Sequence, residues 1–313
     1  MKNVLKKDKN SHIPLDKVIF IHYNLICSFY KIYYIIYRNG ENKMKKILSL
    51  ILAAVLLTVM LVGCGGAKNG LDAIKKSGKL TVYTEAGFAP YEFYYNNEIV
   101  GVDMEIMKAV AAKLGVEMVV TDVAFDTIVS GVQAGKANCG AAGMTINDER
   151  KESVDFSIPY SSTEQYLIVA ADNDALKTVE DLKGKSIGVQ EGTTSDFLIS
   201  DLIADKTLDG ASLTPYKSPA AAAAVVGTKV DAVVTDKLTA EIIVSNNAGL
   251  KTFALVKADG TVAQEVEEYG ICIAKGNEEL LSVINEVIEG LLKDGTIEKW
   301  VNEYSAKATE VGA

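Results

Sequence analysis

After Gly78, strand-like and helix-like segments take turns along this chain, and that alternation constrains the fold more than any other feature. Leu80–Thr84 reads as a strand. Val102–Leu114 then carries Ile106, Met107, Val110 and Leu114 at helical spacing before a Gly115 stop. Val116–Val123 is the next strand, Phe125–Ala134 a helix ended by Gly135, and Ala137–Ala142 a third strand. A second set follows: strands Tyr166–Ala171, Ser186–Gln190 and Val230–Thr235, a helix from Thr194, a helical Ala220–Ala224, and a helix over Lys237–Asn246. Tyr269–Ala274 is again strand-like, and helices over Glu278–Leu292 and Thr296–Tyr304 close the chain. Such alternation specifies α/β architecture.

The start of the chain has a different character. Met44-Lys45-Lys46, an apolar run from Ile47 to Val62, and Leu61-Val62-Gly63-Cys64 have the order of a secretory signal peptide. The run is too short, and too abruptly ended by Gly63, Gly65 and Gly66, to favour a permanent membrane helix. Its ending resembles the bacterial lipobox, in which the cysteine thiol is alkylated by diacylglycerol and becomes the mature N-terminus. That implies lipidation at Cys64 and a membrane anchor of two or more acyl chains. Residues 1–43 have no alanine and are rich in Lys, Asn, Ile, Tyr and Phe, whose codons are AT-rich. Gly40-Glu41, just before Met44, can be encoded as a ribosome-binding sequence. The segment is expected to be an upstream extension, with Met44 as the start. The competing reading, a membrane helix over Val18–Tyr37, is interrupted by His22, Asn24 and Lys31 and would leave the signal peptide internal. The expected layout is 1–43 extension, 44–63 signal peptide and 64–76 tether.

That division changes the available chemistry. Both histidines, His12 and His22, precede Cys64, so the part after it lacks the usual general base and the commonest metal ligand. Ten of the 32 basic residues and three of the 41 acidic ones lie in residues 1–63, leaving 22 against 38 and a net charge of −16. Such acidity, without basic runs, argues against nucleic acid as a partner. Cys139 and Cys272 have no metal-ligand spacing and read as inert core thiols. Neither a metal nor a cofactor is expected.

From Gly78 to Tyr304 a series of short motifs appears in order. They include Phe88-Ala89-Pro90-Tyr91-Glu92-Phe93, Gly101-Val102-Asp103-Met104-Glu105, Phe125-Asp126, Gly143-Met144-Thr145-Ile146 with Glu149-Arg150, and Val154-Asp155-Phe156-Ser157. Gly188-Val189-Gln190-Glu191-Gly192-Thr193-Thr194, Lys229-Val230-Asp231-Ala232-Val233, Tyr269-Gly270-Ile271 and Asp294-Gly295-Thr296-Ile297 continue the series. In this the chain resembles bacterial extracellular solute-binding proteins of family 3, which deliver polar amino acids to ABC importers. The resemblance implies a two-lobed periplasmic-binding-protein type II fold, each lobe a mixed sheet flanked by helices, joined by two hinge crossovers. Lobe one would span 77–159 plus 269–313, and lobe two 165–264. It also implies that the strand at Tyr269–Ala274 inserts beside Ala137–Ala142, bringing Cys139 near Cys272.

Recognition of a zwitterion needs a fork for the carboxylate, and only arginine supplies a planar one. The resemblance gives that role to Arg150, although the charged run Asp148-Glu149-Arg150-Lys151 also suits a solvated helix face. It implies that Thr145 offers its N–H to the carboxylate and its hydroxyl to the ammonium, and that the Gly143 carbonyl accepts from the ammonium. Thr145 also suits a cap for the helix beginning near Asn147. Thr194 N–H would complete the carboxylate's ligands, and Asp236 would bind the ammonium; capping is the alternative for Thr193, Thr194 and Asp236. Phe88 and Phe125 match the pair that sandwiches the ligand side chain, with Glu85 and Gln190 facing its far end. The implied protein is a monomeric, lipid-anchored binder on the extracytoplasmic face of the cell membrane, with an amino acid and an ABC permease as partners. A dehydratase of the cyclohexadienyl type, on the same fold, is the alternative. A receptor sensor domain is a second one and would need a membrane helix after the domain.

Overall fold

A computed structural model of the protein describes residues 70–312; Cys64 and the segments expected as extension and signal peptide lie outside the described residues. The described chain opens with helix α1 (Leu71–Ser77) and strand β1 (Lys79–Thr84), then an antiparallel ribbon of β2 (Gly87–Phe88), β3 (Glu92–Tyr95) and β4 (Glu98–Val100). Helix α2 (Val102–Leu114), β5 (Glu117–Asp122), α3 (Ile128–Gln133), β6 (Cys139–Gly140), α4 (Asp148–Ser153) and β7 (Val154–Phe156) follow. β8 (Ser161–Thr163) and β9 (Gln165–Ala170) lead to β10 (Ser186–Gln190), α5 (Thr194–Ala204), β11 (Ser212–Tyr216) and α6 (Pro219–Ala223). Next come β12 (Ala232–Asp236), α7 (Lys237–Ser245) and β13 (Leu250–Ala254). The chain returns through β14 (Glu267–Tyr269) to β15 (Cys272–Ala274) and ends in α8 (Glu278–Lys293) and α9 (Thr296–Val311).

These elements build two sheets of the same design. One runs β5-β1-β6-β15-β7 and the other β11-β10-β12-β9-β13. In each, three neighbouring strands are parallel, a fourth is antiparallel to them, and the fifth is antiparallel to the fourth. The central strands β10 and β12 of the second sheet are buried on both faces and carry near-continuous apolar runs, Ile187-Gly188-Val189 and Ala232-Val233-Val234. β8 and β14 are the two connections between the lobes and pair antiparallel, with Thr163 opposite Glu267 and Ser161 opposite Tyr269. The carboxyl ends of the parallel strands of both sheets face this crossing, where open α/β sheets place ligands.

Helix α8 buries Leu280, Ile284 and Ile288 along one stripe, as its apolar periodicity requires. Part of the span expected as tether is folded, because α1 buries Ile74 in the first lobe's core. The expected single strand Tyr269–Ala274 is two strands instead. Gly270 lies between them, its N–H donates to Met144 O at 3.0 Å, and a Cβ there would meet Ile146 at 2.9 Å. The segment expected as one helix from Phe125 begins as a 3₁₀ turn over Phe125–Thr127, and the third strand is shorter than expected.

β15 does lie beside β6, pairing Cys272 with Gly140 and Ile273 with Cys139. Successive strand residues face opposite sides of a sheet, so the two thiols enter different cores, and both are free. Gly140 allows that packing: a Cβ there would meet Ile128 Cγ2 at 2.5 Å and Cys272 Sγ at 2.6 Å. Gly140→Ala should therefore destabilise the fold by about 1–3 kcal/mol through overpacking. Urea denaturation followed by circular dichroism reads this, and an unchanged midpoint would contradict the packing described.

Candidate functional site

The chain leaves β6 through a tight turn at Gly143, whose φ is +50°. A Cβ there would lie 2.6 Å from the Phe88 ring, so the aromatic packs directly on the backbone. Asp103 on α2 fixes the turn by accepting Gly143 N–H at 3.0 Å, while Tyr160 donates to its other oxygen at 2.7 Å. Thr145 does not cap α4: Asn147 does, accepting Arg150 N–H at 2.8 Å. Thr145 is thereby left facing the cleft.

That cap sets Arg150 in the first turn of α4, and its side chain is thrown inward, 7 % exposed. Nη1 donates to Thr145 O at 2.8 Å, and Nη2 reaches across to Gly192 O in the other lobe at 3.1 Å. The Phe125 ring lies beneath the guanidinium, 5.3 Å from its carbon. Burial lowers the Arg150 pKa from its usual value. A guanidinium carries five N–H donors, so these two bonds leave a fork for a carboxylate.

The second lobe supplies the facing half. At the start of α5, Thr193 caps the helix by accepting Asp196 N–H at 3.3 Å, leaving Thr194 as its first residue. The N–H groups there belong to the set a helix leaves unpaired, which suits an anion. Asp236 stands at the N-terminus of α7 yet makes no side-chain capping bond. Its carboxyl accepts from Gln165 Nε2 at 2.9 Å and Tyr269 OH at 2.8 Å. Burial first, and then the neighbouring Glu267 charge, push Asp236 up to about 7.

Phe88, Phe125, Gly143, Thr145, Arg150, Gln190, Thr194 and Asp236 line one small cavity between the lobes. Glu85 stands one step behind that lining: it accepts Gln190 Nε2 at 2.9 Å, and Gln190 also donates to Lys217 O at 2.9 Å. Burial pushes Glu85 up to about 7. The sequence reading missed Glu267 and Gln165, whereas Thr193 takes the capping role read for it as an alternative. Glu267 and Tyr269 share one face of a short strand with Glu268 exposed between them, so period-two alternation from Tyr269 was the signal that could have found it. Among the described residues no cluster of three or more His, Cys, Asp or Glu could hold a metal ion.

The profile of the bacterial extracellular solute-binding proteins, family 3, matches residues 80–307. The chain belongs to that family. The "Arginine-binding extracellular protein ArtP" of Bacillus subtilis is 31 % identical over 260 residues, covering 82 % of this chain and 96 % of the relative. A crystal structure of the amino acid ABC transporter substrate-binding protein AbpA of Streptococcus pneumoniae, bound to L-arginine, superposes with a TM-score of 0.70. It is 30 % identical and covers 76 % of this chain and 99 % of that one. The ancestral amino acid-binding protein AncCDT-1, a precursor of cyclohexadienyl dehydratase, gives a TM-score of 0.66 at 33 % identity, over 75 % of this chain and 98 % of that one. The two-lobed type II periplasmic-binding-protein fold expected from the sequence is what this family member has.

Below about pH 7 Asp236 holds a proton, and an ammonium brought against it favours the carboxylate and releases that proton. A ¹³C titration of the Asp236 carboxyl should place its midpoint near 7. Binding of an ammonium ligand should weaken by roughly tenfold per pH unit on the acid side of that midpoint. A midpoint in the ordinary carboxylate range, with affinity flat across this window, would contradict the assignment.

Proposed function

We propose that the protein is the extracytoplasmic substrate-binding lipoprotein of an amino acid ABC importer, capturing a polar α-amino acid between two closing lobes. The observation that carries this is the convergence on one interlobe cavity of a buried arginine fork and an acidic acceptor. Arg150, with the Thr194 N–H, takes the α-carboxylate; Asp236, the Thr145 hydroxyl and the Gly143 carbonyl take the α-ammonium. Phe88 and Phe125 hold the aliphatic stem, Phe125 also stacking on Arg150. Gln190, backed by Glu85, meets the far end of the side chain. That pairing of an amide with a buried acid suits a basic or amide-bearing ligand, and leucine or valine would leave it unpaired. Arginine as ligand of ArtP and AbpA supports the basic class.

The anchor proposed at Cys64 tethers this domain to the outer face of the cell membrane. Among the described residues no helix is long and apolar enough to cross a membrane. Binding needs only one copy of the chain, since both halves of the cavity come from its own lobes. The alternative, a dehydratase acting on carboxylated rings, finds less support, because AncCDT-1 is itself described as an amino acid-binding protein.

A thermal-shift screen against the common amino acids, with mass spectrometry of the mixtures, tests both readings. Stabilisation by basic or amide side chains without turnover is expected; turnover of a ring acid would favour the enzyme. Arg150→Ala should weaken the best ligand by about 30-fold or more, the cost of removing one member of a buried charge pair. Calorimetry reads that loss and circular dichroism checks the fold. Near-wild-type affinity in a folded variant would sink the Arg150 assignment.

A further inference from the structure

Glu267 lies on the returning crossover, and none of the roles proposed above uses it. Its carboxylate is 5 % exposed and gathers four donors. Oε2 accepts Thr145 Oγ1 of the first lobe at 3.3 Å, Thr194 Oγ1 of the second at 2.9 Å, and Gln165 Nε2 at 3.1 Å. Oε1 accepts Gln264 Nε2.

A hydroxyl has one proton to give. With that proton committed to Glu267, the Thr145 and Thr194 oxygens have only lone pairs left for the cavity they both line. The Gln165 amide nitrogen has two hydrogens, and its bonds to Asp236 and Glu267 use both. Ser195 Oγ holds the other end of that amide, donating to Gln165 Oε1 at 2.6 Å. The side chains at this corner thus present acceptors to whatever enters, a polarity that suits a primary ammonium with three donors.

We infer that Glu267 is a positioning residue that fixes the Thr145 and Thr194 hydroxyls as acceptors for the ligand's α-ammonium, so that the site selects α-amino acids over their deaminated analogues. The inference rests on the amino acid-binding function proposed above. It differs from a purely structural role, in which Glu267 only ties the two lobes together through the same two threonines.

The test compares L-arginine with 5-guanidinopentanoate, the same molecule without its α-ammonium, by calorimetry on the whole protein. If the wild type takes glutamine instead, the pair is L-glutamine and glutaramate. Glu267→Ala should weaken the amino acid by about tenfold or more, because the freed hydroxyls turn their protons toward other acceptors. The deaminated analogue should change by less than about threefold. Glu267→Gln, whose amide oxygen still accepts, should keep an intermediate preference. Equal loss for both ligands would mean a tie between lobes and overturn the inference, as would unchanged affinity for the amino acid. If Glu267→Ala does not fold, Thr194→Val removes one oriented hydroxyl at constant shape and is read by the same pair, with the same outcomes. A wild type that binds no amino acid overturns the functional proposal itself, which separates that failure from this one.

Discussion

The cleft depends on one buried cation. Arg150 is nearly out of water, and a guanidinium in that position is costly unless its donors are met. Thr145 O meets one from its own lobe and Gly192 O meets another from the opposite lobe. A single side chain therefore ties the approach of the lobes to the satisfaction of a charge. Gly192 makes the approach possible. Its φ is +74°, and a Cβ there would sit 2.8 Å from Asp126 Cβ across the cleft. Phe125, the residue before Asp126, closes the underside of the guanidinium. The same short turn thus supplies both the aromatic platform and the surface on which the second lobe docks.

Around this cation the carboxyl groups divide into two kinds. Asp236 and Glu267 stand close enough to share one amide nitrogen of Gln165, and both feel the Arg150 charge, which favours their ionised forms. Glu92 and Asp103 lie deeper, below Gly143 and Phe88. Asp103 has two donors, whereas neither oxygen of Glu92 has a hydrogen-bond partner among the described residues. Burial, with Asp103 and Glu85 nearby, holds Glu92 well above the usual carboxylate range. It packs fully buried in the ribbon, opposite Phe88.

Much of this was legible in the sequence where local rules decide. Val102–Leu114 and Ser186–Gln190 fall where periodicity put them, since Gly115 and the turn after Gln190 end them locally. Eight of the nine expected site residues meet at one cavity because each sits at a strand end or first helical turn that the sheet order brings together. The misses have tertiary causes. Thr145 and Asn147 both suit a cap, and only the direction of the turn after Gly143 gives the cap to Asn147. The resemblance put Glu85 at the cavity, but Gln190 arrives from the other lobe and covers it. Tyr269–Ala274 has strand residues throughout, yet Gly270 must press against Ile146, which breaks the ladder. Residues 1–69 lie outside the described residues, so the Cys64 anchor stands on its motif alone.

The crossover strands carry more of the site than hinges need to. Ser161 on β8 meets Tyr91 OH at 2.8 Å, and Tyr269 on β14 donates to Asp236 while its ring stacks edge-on against Tyr91 at 4.9 Å. Tyr91 in turn stacks on Phe88, 5.9 Å away, whose ring lies over Gly143. Phe88 of the first lobe, Asp236 of the second and the connection between them are therefore one packed unit. In such a unit a shift of the second lobe displaces Asp236 from Tyr269, or carries Tyr269 with it into the Phe88–Tyr91 stack. Close-packed interiors transmit such displacements rather than absorb them. Aromatic packing at the hinge thus couples the position of Asp236 to that of Phe88, and Arg150 ties the two lobes together from the other side.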